Sequence, residues 1–230
     1  MTDAPITSRQ KRRLRSFVYD TIDAAVQELR LSKKGFQNLL GHPDFKRRII
    51  ADVCECSACD PRYLFVKEFE ITVPTDYVHD TRLDSFRAGH HAAFYSYNDA
   101  ITDQNFSGKA TMKLAPGRKL KVAVYDIRHG VIVTSDDNMK FIRSQNGILT
   151  GAHGNSLVWE QRSEELPKGR RYLSFDEKDV LWEDADGLHR VPSVDAFSVG
   201  VFLFDLGSFE YDWDDHYSLF VFRDGQTLKT

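Results

Sequence analysis

Two short runs near the C-terminus, residues 201–204 (Val-Phe-Leu-Phe) and 219–222 (Leu-Phe-Val-Phe), are apolar at every position. A β-strand turns successive side chains to opposite faces, so such a run offers apolar groups on both sides and has to be covered on both. Left uncovered, it is a patch that invites a partner. The simpler reading of both runs is ordinary sheet core; the other is a surface for a partner.

Other segments supply the rest of that sheet. Phe65, Lys67, Phe69, Ile71 and Val73 alternate with Val66, Glu68, Glu70 and Thr72 until Pro74 stops the run. Leu120, Val122 and Val124 alternate with Lys121, Ala123 and Tyr125. Asp184 to Gly187 reads as a hairpin turn leading into His189, Arg190 and Val191. Residues 172–175, 180–182 and 197–206 are also expected as strands. Phe209, Tyr211 and Trp213 fit one face of a further strand whose hairpin partner is 217–222.

Helical spacing appears elsewhere. Leu83, Phe86, His90, Phe94 and Tyr97 share one helical face, with loop from 98 to 110. Thr134 or Ser135 caps a helix whose first turn carries Asp136 and Asp137, and Gly147 is placed to end it. Residues 151–166 lean towards a helix that stops before Pro167. Residues 1–60 predict three helices, the first with a stripe of Leu14, Phe17, Val18, Ile22, Ala25, Val26 and Leu29. The expected architecture is therefore an α+β chain. A helical module at 1–61 precedes a domain at 62–230 built on a mainly antiparallel β-sheet.

At 230 residues, with 41% hydrophobic and 28% charged positions, the chain can bury a core without covalent staples. No apolar run approaches the length of a membrane span, the N-terminus lacks a secretory stretch, and three Cys crowded into six residues are not a disulfide framework. A soluble, cytoplasmic protein with no membrane partner is expected. Charge is uneven: residues 174–230 carry 4 Lys+Arg against 13 Asp+Glu. That quarter would repel nucleic acid.

Three constellations could carry chemistry. Cys54, Cys56 and Cys59 supply thiolates suited to zinc, with His42 or His79 as the fourth ligand of a closed tetrahedral site. On a continuous helix Cys54 and Cys56 point apart, so convergence requires the segment to unwind before Pro61. The alternative is three small thiols at a helix end. Arg9, Lys11, Arg12, Arg13 and Arg15 cluster where positive charge opposes the helix dipole, so helix stability does not explain them. Nucleic acid or an acidic partner surface would, as would a solvated face. The third constellation is acidic: Asp176, Glu177, Asp179, Glu183, Asp184 and Asp186 in one stretch, and Glu210, Asp212, Asp214 and Asp215 in another. Asp184 to Gly187 does not follow a calcium-loop pattern, and alternation on strands makes a solvated acidic face the simpler reading. His90, on the apolar helical face, reads as a hydrogen-bonded core residue.

Residues 96–106 (Ser-Tyr-Asn-Asp-Ala-Ile-Thr-Asp-Gln-Asn-Phe), 173–182 with Asp186, Gly187 and His189 to Pro192, and 204–210 resemble uncharacterised proteins of small-genome, candidate-phylum bacteria of the Parcubacteria type. The resemblance spans about residues 65–224 and implies an intracellular bacterial protein. It implies no activity, cofactor or catalytic residue.

No metalloprotease, nucleophile-elbow, phosphate-loop or dinucleotide motif occurs. The expected function is thus a non-enzymatic protein-binding or structural module, with a protein partner or a second copy of the chain as its ligand. A zinc-stabilised module, a nucleic-acid-binding protein and an unrecognised hydrolase are the alternatives. No cofactor is expected, zinc excepted.

Overall fold

The computed structural model describes residues 60–197 and 200–225. They form one mixed sheet of eight strands: β1 (Tyr63–Thr72), β2 (Phe94–Tyr97), β3 (Lys119–Ile127), β4 (Arg170–Leu173), β5 (Trp182–Glu183), β6 (His189–Ala196), β7 (Phe202–Ser208) and β8 (Tyr217–Asp224). Seven run in the order β1-β3-β8-β4-β6-β7-β2, and β5 pairs with the first residues of β6 beyond the end of β4. Four α-helices accompany the sheet among the described residues: α1 (Arg82–His90), the single turn α2 (Asp103–Phe106), α3 (Ser135–Ser144) and α4 (Gly151–Arg162).

Of the two apolar runs, 219–222 is buried on both faces, whereas 201–204 buries Phe202 and Phe204 but leaves Val201 and Leu203 only half-buried. β8 lies between β3 and β4. Its Phe220 and Phe222 enter a core with α1 and α4, while Leu219 and Val221 enter a second core with α3. β3 divides in the same way, with Leu120, Val122 and Val124 on the first side and Ala123, Tyr125 and Ile127 on the second. Each large side chain buried this way contributes about 2 kcal/mol. The two cores explain why this chain tolerates strands with no polar face.

The structure corrects the expected class in two respects. The sheet is mixed: β8 runs parallel to β4, and β7 parallel to β2. Period-two alternation reports which face a residue takes, never the direction of its neighbour. Secondly, the helical module expected at 1–61 lies outside the described residues, save for 60 and 61. Among the described residues the structure is a mixed sheet of eight strands with few helices, and a helical module is not shown.

Local readings change for identifiable reasons. The stripe through Leu83, Phe86, His90, Phe94 and Tyr97 is only half helix. α1 stops at His90, and Phe94 and Tyr97 belong to β2. The pairing of β2 slips between Phe94 and Ser96, so two residues three apart both turn inward and mimic a helical repeat. The strand expected at 209–213 is a turn instead: Trp213 is buried, and Tyr211 is 62% exposed. α3 begins as expected, with Thr134 Oγ1 accepting from Asp137 N at 3.2 Å in a capping box. Its left-handed terminating residue is Asn146 (φ 53°), not Gly147. Gly147 is needed for space, because a Cβ there would lie 2.6 Å from Ile142 Cγ2 and 2.9 Å from Val221 Cγ1.

α4 brings polar groups into the interior. Every residue from Gly151 to Trp159 is buried, and the first six are small or polar: Gly, Ala, His, Gly, Asn and Ser. The helix rests directly on the sheet at Gly154, where a Cβ would come within 2.6 Å of Phe222 Cζ. So close an approach places polar side chains inside the molecule, and each then requires a partner.

Candidate functional site

Two polar constellations stand out, one sealed under α4 and one open at the end of the sheet. The sealed one starts at α1. The N-cap residue Thr81 makes no side-chain capping bond. Asp103, the first residue of α2, caps α1 from across the fold, with Oδ1 accepting from Leu83 N and Oδ2 from Asp84 N, both at 3.0 Å. A carboxylate is well placed against the positive end of a helix. Ser107 Oγ donates to Asp103 Oδ1 at 2.5 Å and sits 3.0 Å from His153 Nε2 on α4. That same nitrogen lies 3.2 Å from the carbonyl oxygen of His79.

A Ser-His-Asp set invites a nucleophile reading, and the bonding directions reject it. A carbonyl oxygen only accepts, so His153 Nε2 carries the proton. His153 therefore donates to Ser107, and Ser107 donates to Asp103. The hydroxyl hands its proton to the acid, and the histidine has no free lone pair on that nitrogen to receive it. An activated serine requires the reverse order. The imidazoles of His79 and His153 stack at 3.8 Å, and His79 Nδ1 lies 3.1 Å from Tyr77 Oη. Burial pushes His153 down to about 3, and a proton on the stacked His79 would push it the same way. Burial also lowers His79, so both rings are neutral at neutral pH. The chain of bonds braces α1, α2 and α4 against one another.

Asp176 lies at the other end of the same layer. It is buried beside Gly151, whose φ is 50°. Burial raises its pKa, and bonds from Thr111 and from Glu177 N (2.8 Å) partly offset that. Thr150 and Ser174 share a hydroxyl bond nearby, and Asn155 Nδ2 donates to the Pro192 carbonyl at 3.0 Å.

The open constellation surrounds Arg171. Its guanidinium lies on the α3 side of the sheet, and Nε reaches Asp195 Oδ2 at 3.2 Å across the β4–β6 pair. Nη1 donates to Tyr217 Oη at 3.2 Å, across the parallel β4–β8 pair. Asp195 is almost wholly buried, and Ser193 Oγ donates to its other oxygen at 3.0 Å. Burial pushes Asp195 up to about 6, with Asp205 adding to the rise while Arg171 and Ser193 oppose it. Asp205 in turn accepts from Asn98 Nδ2 at 3.1 Å. Arg171, Tyr217, Asp214 and His216 line a surface pocket of about 280 Å³.

Asp214, Asp215 and His216 form the turn into β8. Asp214 Oδ1 accepts from His216 N at 3.0 Å and pairs with the ring at 3.1 Å. Asp215 bonds His129 and Gly130 of the facing loop, and the His129 bond lowers its pKa. The three residues bring ligand atoms within 4.8 Å of one another. Their lone pairs are largely engaged in holding the turn, and exposed acidic groups commonly gather this way without an ion.

The expected site residues fare unevenly. Cys54, Cys56, Cys59 and His42 lie outside the described residues, as do Arg9, Lys11, Arg12, Arg13 and Arg15. His79, the other proposed fourth zinc ligand, is committed to the imidazole stack and to Tyr77. His90 is only partly buried, and its Nε2 meets Glu160 Oε1 at 3.2 Å. Asp184 accepts from Asp186 N and Leu188 N and pairs with Arg190, so it builds the hairpin. Burial works to raise Glu210, but its bonds to His189 and Lys178 prevail and bring it down to about 2. Sequence reasoning missed Arg171, Asp195 and Tyr217; an isolated Arg and Asp on separate strands carry no motif. No protein-family model matches the chain, and neither the curated proteins nor the solved structures yield a match. Among the described residues no helix is long and apolar enough to cross a membrane.

Proposed function

We propose that this protein is a non-enzymatic binding module that takes a small zwitterion of amino-acid size in the pocket at Arg171. The supporting observation is a guanidinium held from two sides with donors to spare. Of its five N–H groups, one meets Asp195 and one meets Tyr217. The side chain remains 49% exposed at the pocket wall. A guanidinium fixed this way is suited to bidentate recognition of a carboxylate.

Charge decides between an anion and a zwitterion. The C-terminal quarter is strongly acidic, so a simple anion is repelled on approach. The pocket wall itself holds one cation, Arg171, and one anion, Asp214. A ligand with a carboxylate for the first and an ammonium for the second matches both. At about 280 Å³ the pocket falls just below the usual small-molecule range of roughly 300–1,000 Å³, which favours an amino acid over a nucleotide.

The test is a titration of the full chain with glycine, with acetate and methylammonium as single-charge controls, followed by NMR. Glycine should shift the Tyr217 and His216 signals, each control should bind at least about tenfold more weakly, and Arg171→Lys should lose about tenfold. No shift with glycine or any other free amino acid sinks the reading.

A second reading rests on the sheet edge. Gln161 and Arg162 of α4 bond the outer backbone groups of β1 at Glu70 and Thr72. Leu64 and Phe65, earlier on the same edge strand, are 51% and 54% exposed. This favours a protein partner or a second copy at β1, and Phe65→Ser should then reduce sedimentation-detected association. Both readings fit a cytoplasmic bacterial protein of the kind its short runs resemble.

A further inference from the structure

Asp195 sits beneath Arg171 without lining the pocket. Its place is set by register: Asp195 on β6 is opposite Arg171 on β4 and Leu203 on β7, and Ser193 is opposite Asp205. The charged and titratable groups facing this pair from the packed strands are Asp205 of β7 and, through Arg171, Tyr217 of β8. Asp214 and His216 stand on the turn at the pocket mouth.

An exposed Arg–Asp pair at a sheet surface is weak and mobile. Here the carboxylate is 4% exposed and receives Ser193 on its far oxygen, so the acceptor cannot follow the guanidinium if Arg171 swings away. The phenol of Tyr217 holds the other end.

We infer that Asp195 is the positioning residue for Arg171, holding the guanidinium plane while ionised and releasing it when protonated. The consequence for the pocket rests on the binding reading above. Asp195 takes up its proton near pH 6, with burial the main cause. Above that pH the carboxylate accepts from Arg171 Nε. Below it the carboxyl is neutral, and the charge attraction that holds Arg171 in place is lost. At pH 5 about one molecule in ten retains ionised Asp195, so affinity falls about tenfold from its value at pH 7.5.

The experiment uses the full-length chain labelled with ¹⁵N. The Arg171 Nε–H signal, identified by its loss in Arg171→Lys, is followed from pH 8 to 4.5 without ligand. It should move with a midpoint near 6, and in Asp195→Asn it should stay flat. A signal that does not titrate between pH 7 and 5, or that titrates equally in Asp195→Asn, overturns the inference. If the Asn variant fails to fold, the titration is repeated in His216→Asn, where a midpoint that persists near 6 supports Asp195 and one that vanishes overturns the inference. Glycine affinity is then compared at pH 7.5 and 5.0. Glycine that never binds while Arg171 still titrates removes the ligand reading and leaves the Asp195–Arg171 coupling standing. Glycine that binds equally at both pH values leaves the pocket and overturns the release.

Discussion

The layer under α4 and the pocket at Arg171 use the same kinds of residue to opposite ends. Under α4, Asp103, Ser107, His153 and the His79 carbonyl form one directed chain in which each donor already has an acceptor. At Arg171 the guanidinium is pinned by Asp195 and Tyr217, yet it keeps donors facing open space. The first arrangement fixes where three helices sit. The second holds one group ready for something outside the chain. Burial alone does not separate them, because both contain a buried acid or base with a displaced pKa. What separates them is where the uncommitted groups point: under α4 the unpartnered His79 Nε2 and Asn155 Oδ1 are sealed inside, whereas the spare Arg171 donors sit on a side chain that is 49% exposed.

Four changes would break or sharpen this contrast. The largest effect is expected at Gly154→Ala, where the new methyl meets Phe222 at 2.6 Å and forces α4 off the sheet. Overpacking of this kind costs about 3 kcal/mol, measurable by urea unfolding, and glycine affinity should not change if the variant folds. Acid comes next, and the two regions should respond with opposite signs. Unfolded His takes a proton near pH 6.5, but folded His153 waits until about 3. Between those values the unfolded chain binds more protons, so stability falls as pH falls, by about 3 kcal/mol at pH 4.5. Asp195 does the reverse. Its folded value near 6 exceeds the unfolded value near 3.9, so between them the folded chain binds more protons and gains about 2 kcal/mol over the same range. His153→Gln should remove the loss and Asp195→Asn the gain, each read from unfolding at pH 7 and 4.5.

A smaller effect is expected for Ser107→Ala, which removes the link between Asp103 and His153 and should cost about 1–2 kcal/mol without altering glycine binding. The smallest stability change belongs to Arg171→Lys. Lysine keeps a positive charge beside the buried Asp195 but not the fixed plane, so unfolding should move by only about 1 kcal/mol while affinity falls about tenfold. A loss of several kcal/mol there would make Arg171 structural and erase the distinction.

Much of the sheet is legible in the sequence. Alternation over 65–72 and 120–125, the all-apolar run at 219–222, the turn at 184–187 and the capping Thr134 all depend on local chemistry, and local chemistry is what a sequence displays. β2 is hidden because its register slip turns a two-residue repeat into a three-residue one. The mixed strand directions are hidden because pairing partners such as β2 and β7 lie more than a hundred residues apart. The site is less legible still. Asp103 caps a helix twenty residues before it, and Arg171 meets Asp195 only through strand register. Neither relation leaves a motif. Asp214 and Asp215 draw notice for their charge, but the structure gives them a turn to hold.

The separation of a bracing layer from a binding pocket depends on the direction of the hydrogen bonds at His153, and long-range ¹H–¹⁵N NMR of the imidazole reads that direction. With the proton on Nε2 and the ring still neutral at pH 5, Ser107 is an anchored donor and the layer serves the fold. A proton on Nδ1, with Nε2 bare and facing the Ser107 hydroxyl, would turn the same three residues into an activated nucleophile and contradict that separation.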